Sequence, residues 1–281
     1  MTYCVGIRLD AGLVFLSDSR TNAGLDHIAS FRKMMIYEKP GDRFMVLLSG
    51  GNLSVSQSVR EILQVERIDG GDDGKGREPL TIWNCTSLFD AARILGSAVR
   101  RVYAQDGPSL KQAGIDFNAS FILGGQIGNE AMRLFLVYSP GNFIEATRET
   151  PYFQIGESKY GKPILDRVIT PATPLDEAAK CALVSMDSTL KSNLSVGLPL
   201  DLLVYRAGAL QSDDVVCIDE RNPYFQMIRS TWGQRLREVF ESIDDPQWNA
   251  TDGGAAAHPL RVASGRFEPM KKITTPDEKI V

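Results

Sequence analysis

The second residue of the chain carries a hydroxyl and, once the initiator methionine is removed, a free α-amine. Small residues at position two generally permit that removal, which would make Thr2 the first residue. A threonine hydroxyl is unreactive at neutral pH without a base, whereas an α-amine titrates at about 7.7 to 8.0. Thr2 is therefore a candidate nucleophile that supplies its own base. A small second residue also serves processing alone, so the chemistry needs support from other positions.

Three further positions supply the groups that such a nucleophile needs. Lys33 close to the α-amine would disfavour the ammonium form of that amine and lower its pKa, while Asp18 would keep the lysine charged and oriented. Gly50-Gly51 stands just before a predicted helix, where a backbone N–H of Gly50 can stabilise the oxyanion of a tetrahedral intermediate. Singly these are an ion pair and a turn, but together with Thr2 they favour acyl transfer.

These side chains lie at the ends of predicted β-strands, on a rigid frame. Turn signals at Asp10-Ala11-Gly12 and Pro40-Gly41-Asp42 join the strands in pairs. The predicted strands of this part are 3 to 9, 13 to 16, 33 to 37 and 44 to 49. Four strands thus precede the first helix.

The remaining pattern alternates helix pairs with strands. Asn52 can cap a helix of about residues 53 to 66, and Ser87 with Asp90 resembles a capping pair before a long helix to about Gln105. The later elements are strands at 117 to 124, 131 to 138, 142 to 146 and 152 to 155, helices at 157 to 168 and 175 to 191, strands at 200 to 206 and 214 to 218, and a helix near 223 to 243. Two antiparallel sheets covered by helices fit this order, which predicts an α+β fold, a four-layer αββα sandwich. Periodicity alone leaves other α+β layouts open.

The composition is that of a globular protein with one large domain or two small ones. The chain has 281 residues, of which 43% are hydrophobic and 23% charged, with 31 Lys+Arg against 35 Asp+Glu. A slightly acidic chain without a basic stripe gives no reason to expect a nucleic acid or an anionic membrane as partner. No apolar run approaches the roughly 20 residues that span a bilayer, and Arg8, Asp10 and Asp18 interrupt any signal segment, so we expect a cytoplasmic protein.

Cysteines and histidines indicate no metal or cofactor site. The cysteines are far apart and form no CxxC pair: Cys4, Cys85, Cys181 and Cys217. The two histidines, His27 and His258, lie on predicted loops, which argues against a serine–histidine triad and against a zinc site. We therefore expect reduced thiols and predict neither a cofactor nor a metal.

The opening of the chain resembles a known family. The chain resembles the proteasome-type N-terminal nucleophile (Ntn) hydrolases in three segments, TYCVGIRLDAGLVFLSDSRTNAG, FRK and LSGGN. Within them it is most similar to the bacterial ancestral β-subunit (Anbu) group, through MTYC, SDSRTNAG, HIASFRK and SNLSVGLPLDLLVYRAG at residues 192 to 208. The resemblance covers roughly residues 2 to 243. It implies the αββα fold, a threonine peptidase or amidase, and a large homo-oligomer, which in the Anbu group is an open, helical ring.

The resemblance also assigns roles to individual residues. Thr2 matches the family's nucleophile and base, Asp18 and Lys33 match its charged pair, and Gly50 matches its oxyanion donor. Arg20 stands two residues beyond Asp18 on the same strand face, so we expect it to join that charge cluster.

Two later motifs depart from the family pattern. The family has a Gly-Ser-Gly-type segment where this chain has Gly156-Glu157-Ser158, so Ser158 is the candidate that replaces the supporting serine. The family pattern Asp-x-x-Ser-Gly-Gly appears here as residues 192 to 197, in which the aspartate is absent and Ser195 alone matches. These changes raise the alternatives of lower efficiency, altered peptide specificity or a different acyl substrate.

Three functions therefore stay open at the level of sequence. The first is a hydrolase in which Thr2, after removal of Met1, attacks a peptide or amide carbonyl and forms an ester that water cleaves. The second is a non-proteolytic amidase or transferase that uses the same nucleophile on a small amide. The third is a ring-forming scaffold with weak catalysis. The sequence identifies neither the natural substrate nor an unfolding partner.

The C-terminal residues differ in composition from the rest of the chain. From about Asp245 onward, Pro, Gly, Ala and Thr replace regular periodicity. We therefore predict a hydrolase domain over residues 1 to 244 and an extension over 245 to 281 that is mobile or depends on a partner.

Overall fold

A computed structural model of the chain describes residues 2–22, 28–69, 78–212 and 215–245. Its strands are β1 (Tyr3–Leu9), β2 (Gly12–Asp18), β3 (Arg20–Asn22), β4 (Ile28–Ser30), β5 (Met34–Lys39), β6 (Arg43–Gly51), β7 (Ala119–Ile127), β8 (Arg133–Val137), β9 (Phe143–Glu145), β10 (Tyr152–Gly156), β11 (Leu200–Arg206) and β12 (Val215–Ile218). Its helices are α1 (Leu53–Leu63), α2 (Leu88–Gln112), α3 (Lys162–Val168), α4 (Leu175–Ser192) and α5 (Pro223–Glu241). Met1, most of the predicted loop 69–79 and residues 246–281 of the predicted extension lie outside the described residues.

Two five-stranded antiparallel sheets form the centre of the fold. The first has the strand order β10-β1-β2-β11-β12, and the second has the order β5-β6-β7-β8-β9. β1 and β2 form the predicted hairpin, with Leu9 opposite Gly12 across the turn. Every residue of β2 is buried, as expected for a sheet that is covered on both faces.

Three hydrophobic clusters separate four layers. The inner cluster lies between the two sheets, whereas a second packs α1 and α2 on the outer face of the second sheet. A third cluster packs α3, α4 and the start of α5 on the outer face of the first sheet. Alternation along β2 divides its side chains accordingly, because Phe15 belongs to the inner cluster and Val14 and Leu16 to the outer one. The predicted αββα sandwich is confirmed.

Three predictions of individual elements are wrong. A short pair, β3 and β4, follows β2, so six strands and not four precede α1. α2 continues past the predicted end at Gln105 and through Pro108, since Leu110 still packs on the cluster beneath the helix. α3 begins at Lys162 and not at 157, with Pro163 in its first turn, where a missing N–H costs no intrahelical bond.

The described chain ends shortly after α5. Contacts divide the whole chain into two compact units, Met1–Trp232 and Gly233–Val281. The domain boundary predicted at residue 244 stays a prediction, because residues 246–281 are outside the described part. Among the residues that the structure describes, no helix has the length and the apolar character needed to cross a membrane.

Candidate active site

A buried ion pair joins the end of β2 to the residue before β5. The ammonium Nζ of Lys33 donates to Oδ1 of Asp18 at 2.6 Å, and neither side chain is more than 5% exposed. The same ammonium donates to the backbone carbonyl of Arg20 at 2.7 Å. An ammonium has three N–H donors, and two of them have acceptors within the described part of the chain. One donor is therefore left for a further acceptor.

The carboxylate of Asp18 also binds two backbone amides. Its Oδ1 accepts from the N–H of Tyr3 at 3.0 Å, and its Oδ2 accepts from the N–H of Gly197 at 3.3 Å. Burial raises the pKa of Asp18, while the Lys33 ammonium and these amides act in the opposite direction. One carboxylate oxygen therefore lies between the lysine and the residue that follows Thr2.

The backbone around Lys33 is held by the neighbouring strand. The carbonyl of Lys33 accepts from the backbone N–H of Ser49 at 3.0 Å and from its hydroxyl at 3.3 Å. Because Ser49 directly precedes Gly50 on β6, the lysine and the predicted oxyanion donor belong to the same hydrogen-bonded segment.

Thr2 is buried and held by the end of β10. Its side and main chain together are only 7% exposed, and its carbonyl accepts from the N–H of Glu157 at 2.6 Å. Gly156, the last residue of β10, has a φ of +83°, and a Cβ there would lie 1.9 Å from the Thr2 carbonyl oxygen. A glycine is required at this position because the turn is left-handed and the backbone approaches closely.

Gly50 lies beside the side chain of Thr2. A Cβ at Gly50 would come within 3.5 Å of Cγ2 of Thr2. Gly51 follows with a φ of +99°, and Asn52 then caps α1, as predicted, by accepting from the N–H of Ser54 at 3.0 Å. The Gly-Gly turn thus brings the buried backbone of Gly50, which has no side chain, next to the candidate nucleophile.

Arg20 reaches the same region from β3. Besides its carbonyl contact with Lys33, its Nη1 donates to the carbonyl of Leu194 at 3.1 Å. A Cβ at Gly197 would lie 2.1 Å from Nε of Arg20, so the guanidinium passes directly over that glycine. Arg20 therefore connects the Asp18–Lys33 pair to the loop after α4.

The two predicted serines lie on the loops around this cluster. Ser158 uses its carbonyl to accept from the N–H of Lys162 at 3.0 Å, which starts α3. Ser195 donates its backbone N–H to Oδ1 of Asn193 at 2.9 Å. No hydrogen bond within the described residues joins either hydroxyl to Thr2.

Glu157 and Asn193 instead meet next to Thr2. Nδ2 of Asn193 donates to Oε2 of Glu157 at 3.1 Å, and the backbone N–H of Glu157 holds the Thr2 carbonyl. In the sequence Glu157 is visible only as a departure from the family pattern. Asn193 has no local signal, because aligning its loop on Ser195 or on Gly197 gives the same register, and its contact with Glu157 joins two distant segments.

A row of buried polar side chains continues from Thr2 into the space between the sheets. Cys4, Ser17 and Asp201 are register partners on β1, β2 and β11, and each is at most 3% exposed. Burial raises the pKa of the Cys4 thiol and that of the Asp201 carboxyl, the latter against the opposing charge of Arg32 at 3.7 Å. An uncharged thiol packed in the inner cluster is a core residue and not a second nucleophile.

The described residues include no group of three or more His, Cys, Asp or Glu side chains arranged to hold a metal ion. Both histidines, at positions 27 and 258, lie outside the part of the chain that the structure describes. The described residues around Thr2 bring together a hydroxyl, a buried ion pair and backbone amides.

Comparison with solved structures finds close relatives over most of the chain. An Anbu (ancestral beta-subunit) protein from Yersinia bercovieri is 49% identical, with 86% of this chain and 97% of that chain covered and a TM-score of 0.77. The Anbu complex from Pseudomonas aeruginosa, solved as a helical assembly, is 46% identical, with 87% and 98% covered and a TM-score of 0.79. A Gly-1 mutant of Anbu from Hyphomicrobium sp. strain MC1 is 43% identical, with 87% and 99% covered and a TM-score of 0.78. No protein-family model and no curated protein matches the chain.

Proposed function

The chain belongs to the Anbu (ancestral β-subunit) family of proteasome-like proteins, and we propose that it is an N-terminal threonine hydrolase of peptide or amide bonds. Removal of Met1 releases the α-amine of Thr2, which then serves as base for the hydroxyl of the same residue. The similarity to Anbu proteins indicates a proteasome-like fold related to the Ntn hydrolases. Acyl transfer by a hydroxyl nucleophile needs an activating base and an oxyanion donor.

The reaction proceeds through an ester on Thr2. The α-amine takes the proton of the hydroxyl as its oxygen bonds to the carbonyl carbon, and the N–H of Gly50 stabilises the resulting oxyanion. The carbon–nitrogen bond then breaks, and the leaving amine takes the proton from the α-ammonium. Water then attacks the ester as the same α-amine takes one of its protons. The bond between the carbonyl carbon and Oγ breaks, Oγ takes that proton from the α-ammonium, and the acid is released from restored Thr2.

The Asp18–Lys33 pair tunes the base in this scheme. A positive charge next to the α-amine disfavours its ammonium form, so more of the amine is free to accept a proton at neutral pH. The lysine can hold this place only if its own charge is balanced, and the buried carboxylate of Asp18 balances it at 2.6 Å.

One contact supports this function above the others. Oδ1 of Asp18 accepts from both Nζ of Lys33, at 2.6 Å, and the N–H of Tyr3, at 3.0 Å. An ion pair that served only the core would need no bond to the residue next to Thr2. The carboxylate therefore links the charge of Lys33 to the backbone of the candidate nucleophile.

The proposal includes self-assembly. A similar protein from Pseudomonas aeruginosa forms a helical assembly, and we infer that this chain forms a homo-oligomer as well. On α5, Leu236, Val239 and Phe240 are more than half exposed, and apolar faces of this kind favour association. Light scattering of the purified chain should give a mass several times that of one subunit; a monomer over the working concentration range would contradict it.

The decisive experiment combines intact mass with an electrophile that captures N-terminal threonine, such as a peptide epoxyketone. We expect the mature mass to lack Met1 and the adduct to map to Thr2. Thr2→Ser should still be labelled, because serine also carries a hydroxyl and an α-amine, whereas Thr2→Ala should not. Met1 present in all molecules under native expression, or equal labelling of Thr2→Ala, would overturn the proposal.

Product analysis then separates the two enzymatic alternatives. A peptidase should cleave an unfolded protein such as reduced casein into peptides. Release of amine from small amides, with unfolded protein left intact, would instead indicate an amidase that uses the same nucleophile.

A further inference from the structure

Glu157 contacts Thr2 through its main chain and a second loop through its side chain. Its N–H donates to the Thr2 carbonyl at 2.6 Å, in the first position after β10. Its Oε2 accepts from Nδ2 of Asn193 at 3.1 Å, and its Oε1 accepts from the N–H of Lys159 at 3.4 Å. The carboxylate is therefore held from two directions while the amide holds the nucleophile.

Asn193 fixes this contact to the scaffold of the first sheet. It is the residue that ends α4, with its own N–H bonded to the carbonyl of Thr189 at 2.9 Å. Its Oδ1 accepts from the N–H of Ser195, which closes the turn that leads to Gly197. Because Oδ1 of this amide binds the N–H of Ser195, the amide nitrogen Nδ2 is the atom directed at Glu157.

We propose that Glu157 is a positioning residue for Thr2, and that its carboxylate, held by Asn193, sets the place of the amide that binds the Thr2 carbonyl. This inference rests on the proposed function of Thr2. The side chain matters because the preceding residue, Gly156, has a φ of +83° and imposes little conformational restriction of its own. Without an anchor after it, the amide of residue 157 would be free to move away from Thr2.

The direction of the hydrogen bond allows a sharp test. Glu157→Gln removes one of two acceptor oxygens and presents an N–H₂ donor to the donor of Asn193. Asn193→Asp instead places two carboxylates in contact, which repel unless a proton is shared. The double variant Glu157→Gln/Asn193→Asp reverses the bond, since the glutamine donates and the aspartate accepts, and it keeps acceptors for both backbone amides. It also keeps the net charge of the pair.

The rate of covalent labelling of Thr2 by the epoxyketone is separated into an inactivation rate constant and a binding constant. Each single variant should lower the inactivation rate constant by about 10- to 100-fold, as expected for a displaced nucleophile, with little change in binding. The double variant should recover it to within about threefold. Glu149→Gln, at an exposed glutamate before β10, controls for the loss of one negative charge and should label normally.

A second readout separates this inference from the proposed function. Periodate oxidises an N-terminal threonine at a rate set by the geometry and access of its amine and hydroxyl, and it needs no catalysis. If wild type resists the epoxyketone but the single variants still change the periodate rate and the double variant restores it, Glu157 positions Thr2 and the hydrolase proposal fails. Single variants that match wild type in both rates, or a double variant no better than the worse single one while all assemble normally, would overturn the inference.

Discussion

Gly156→Ala tests whether the backbone beside Thr2 determines the reactivity of the site. Gly156 has a φ of +83°, and a new Cβ would stand 1.9 Å from the Thr2 carbonyl oxygen, where contacts below 3.0 Å are essentially never found. Left-handed backbone costs a non-glycine residue about 1–2 kcal/mol. Relief of the clash requires a displacement of about 1 Å, and a misplacement of that size can reduce a rate about 100-fold. We therefore expect the labelling rate of Thr2 to fall by about 10- to 100-fold.

A matched glycine separates the backbone cost from the clash. Gly208 has a φ of +79°, and a Cβ there would meet nothing within 4 Å. Gly208→Ala should lower the Tm by about 2 to 8 °C and leave labelling unchanged. Gly156→Ala should lower the Tm further and slow labelling as well, both measured at one protein concentration because assembly affects Tm. Equal losses of Tm in the two variants, with unchanged labelling in both, would refute the reasoning.

Three further perturbations test the charges around the site. Lys33→Ala should abolish labelling of Thr2 and leave the oligomer intact. The control Lys39→Ala, at an exposed lysine, should label normally. Labelling that survives in Lys33→Ala would remove Lys33 from the mechanism. Burial raises the pKa of Asp201, so the stability it contributes is complete below the unfolded pKa of about 3.9 and is lost as pH rises through the higher folded value. Asp201→Asn should thus raise the Tm at about pH 8 and hardly change it at about pH 4, and an equal shift at both would contradict this sign. In Gly197→Ala the new Cβ would lie 2.1 Å from Nε of Arg20, so this variant should label Thr2 more slowly. In the Arg20→Ala background the same substitution should cause no further loss of the labelling rate, because the crowded group is absent. Additive losses in the double variant would exclude the contact.

The positions of the charged residues at the site can be predicted from the sequence, because each of them lies at the end of a strand that short-range patterns identify. Asp18 ends the second strand of a hairpin, and Lys33 immediately precedes β5, so the pattern of apolar runs and turns already places both at strand ends. The Gly-Gly turn before the Asn52 cap is equally readable, since the cap and the helix that follows it have strong sequence signals. Their meeting point in space follows once the two sheets are stacked.

The contacts that residues of the second half of the chain make around Thr2 cannot be predicted from such local patterns. Glu157 follows a strand and Asn193 ends a helix, and their contact depends on how α3 and α4 pack on the first sheet. Neither periodicity nor capping signals report that packing, so the sequence favoured Ser158 and Ser195 by position alone. The late start of α3 has the same origin, because residues 157 to 160 form the turn that carries Glu157.

The described contacts also bear on what removal of Met1 would change. The bonds that hold the start of β1 involve the carbonyl of Thr2 and the N–H of Tyr3, and neither atom is altered by the loss of the preceding residue. The Asp18–Lys33 pair is likewise complete within the described chain. If Thr2 acts as proposed, processing therefore supplies the base to a site in which these described contacts are already formed. Such preorganisation is what electrostatic catalysis demands, because groups that need not move cost no reorganisation energy during the reaction.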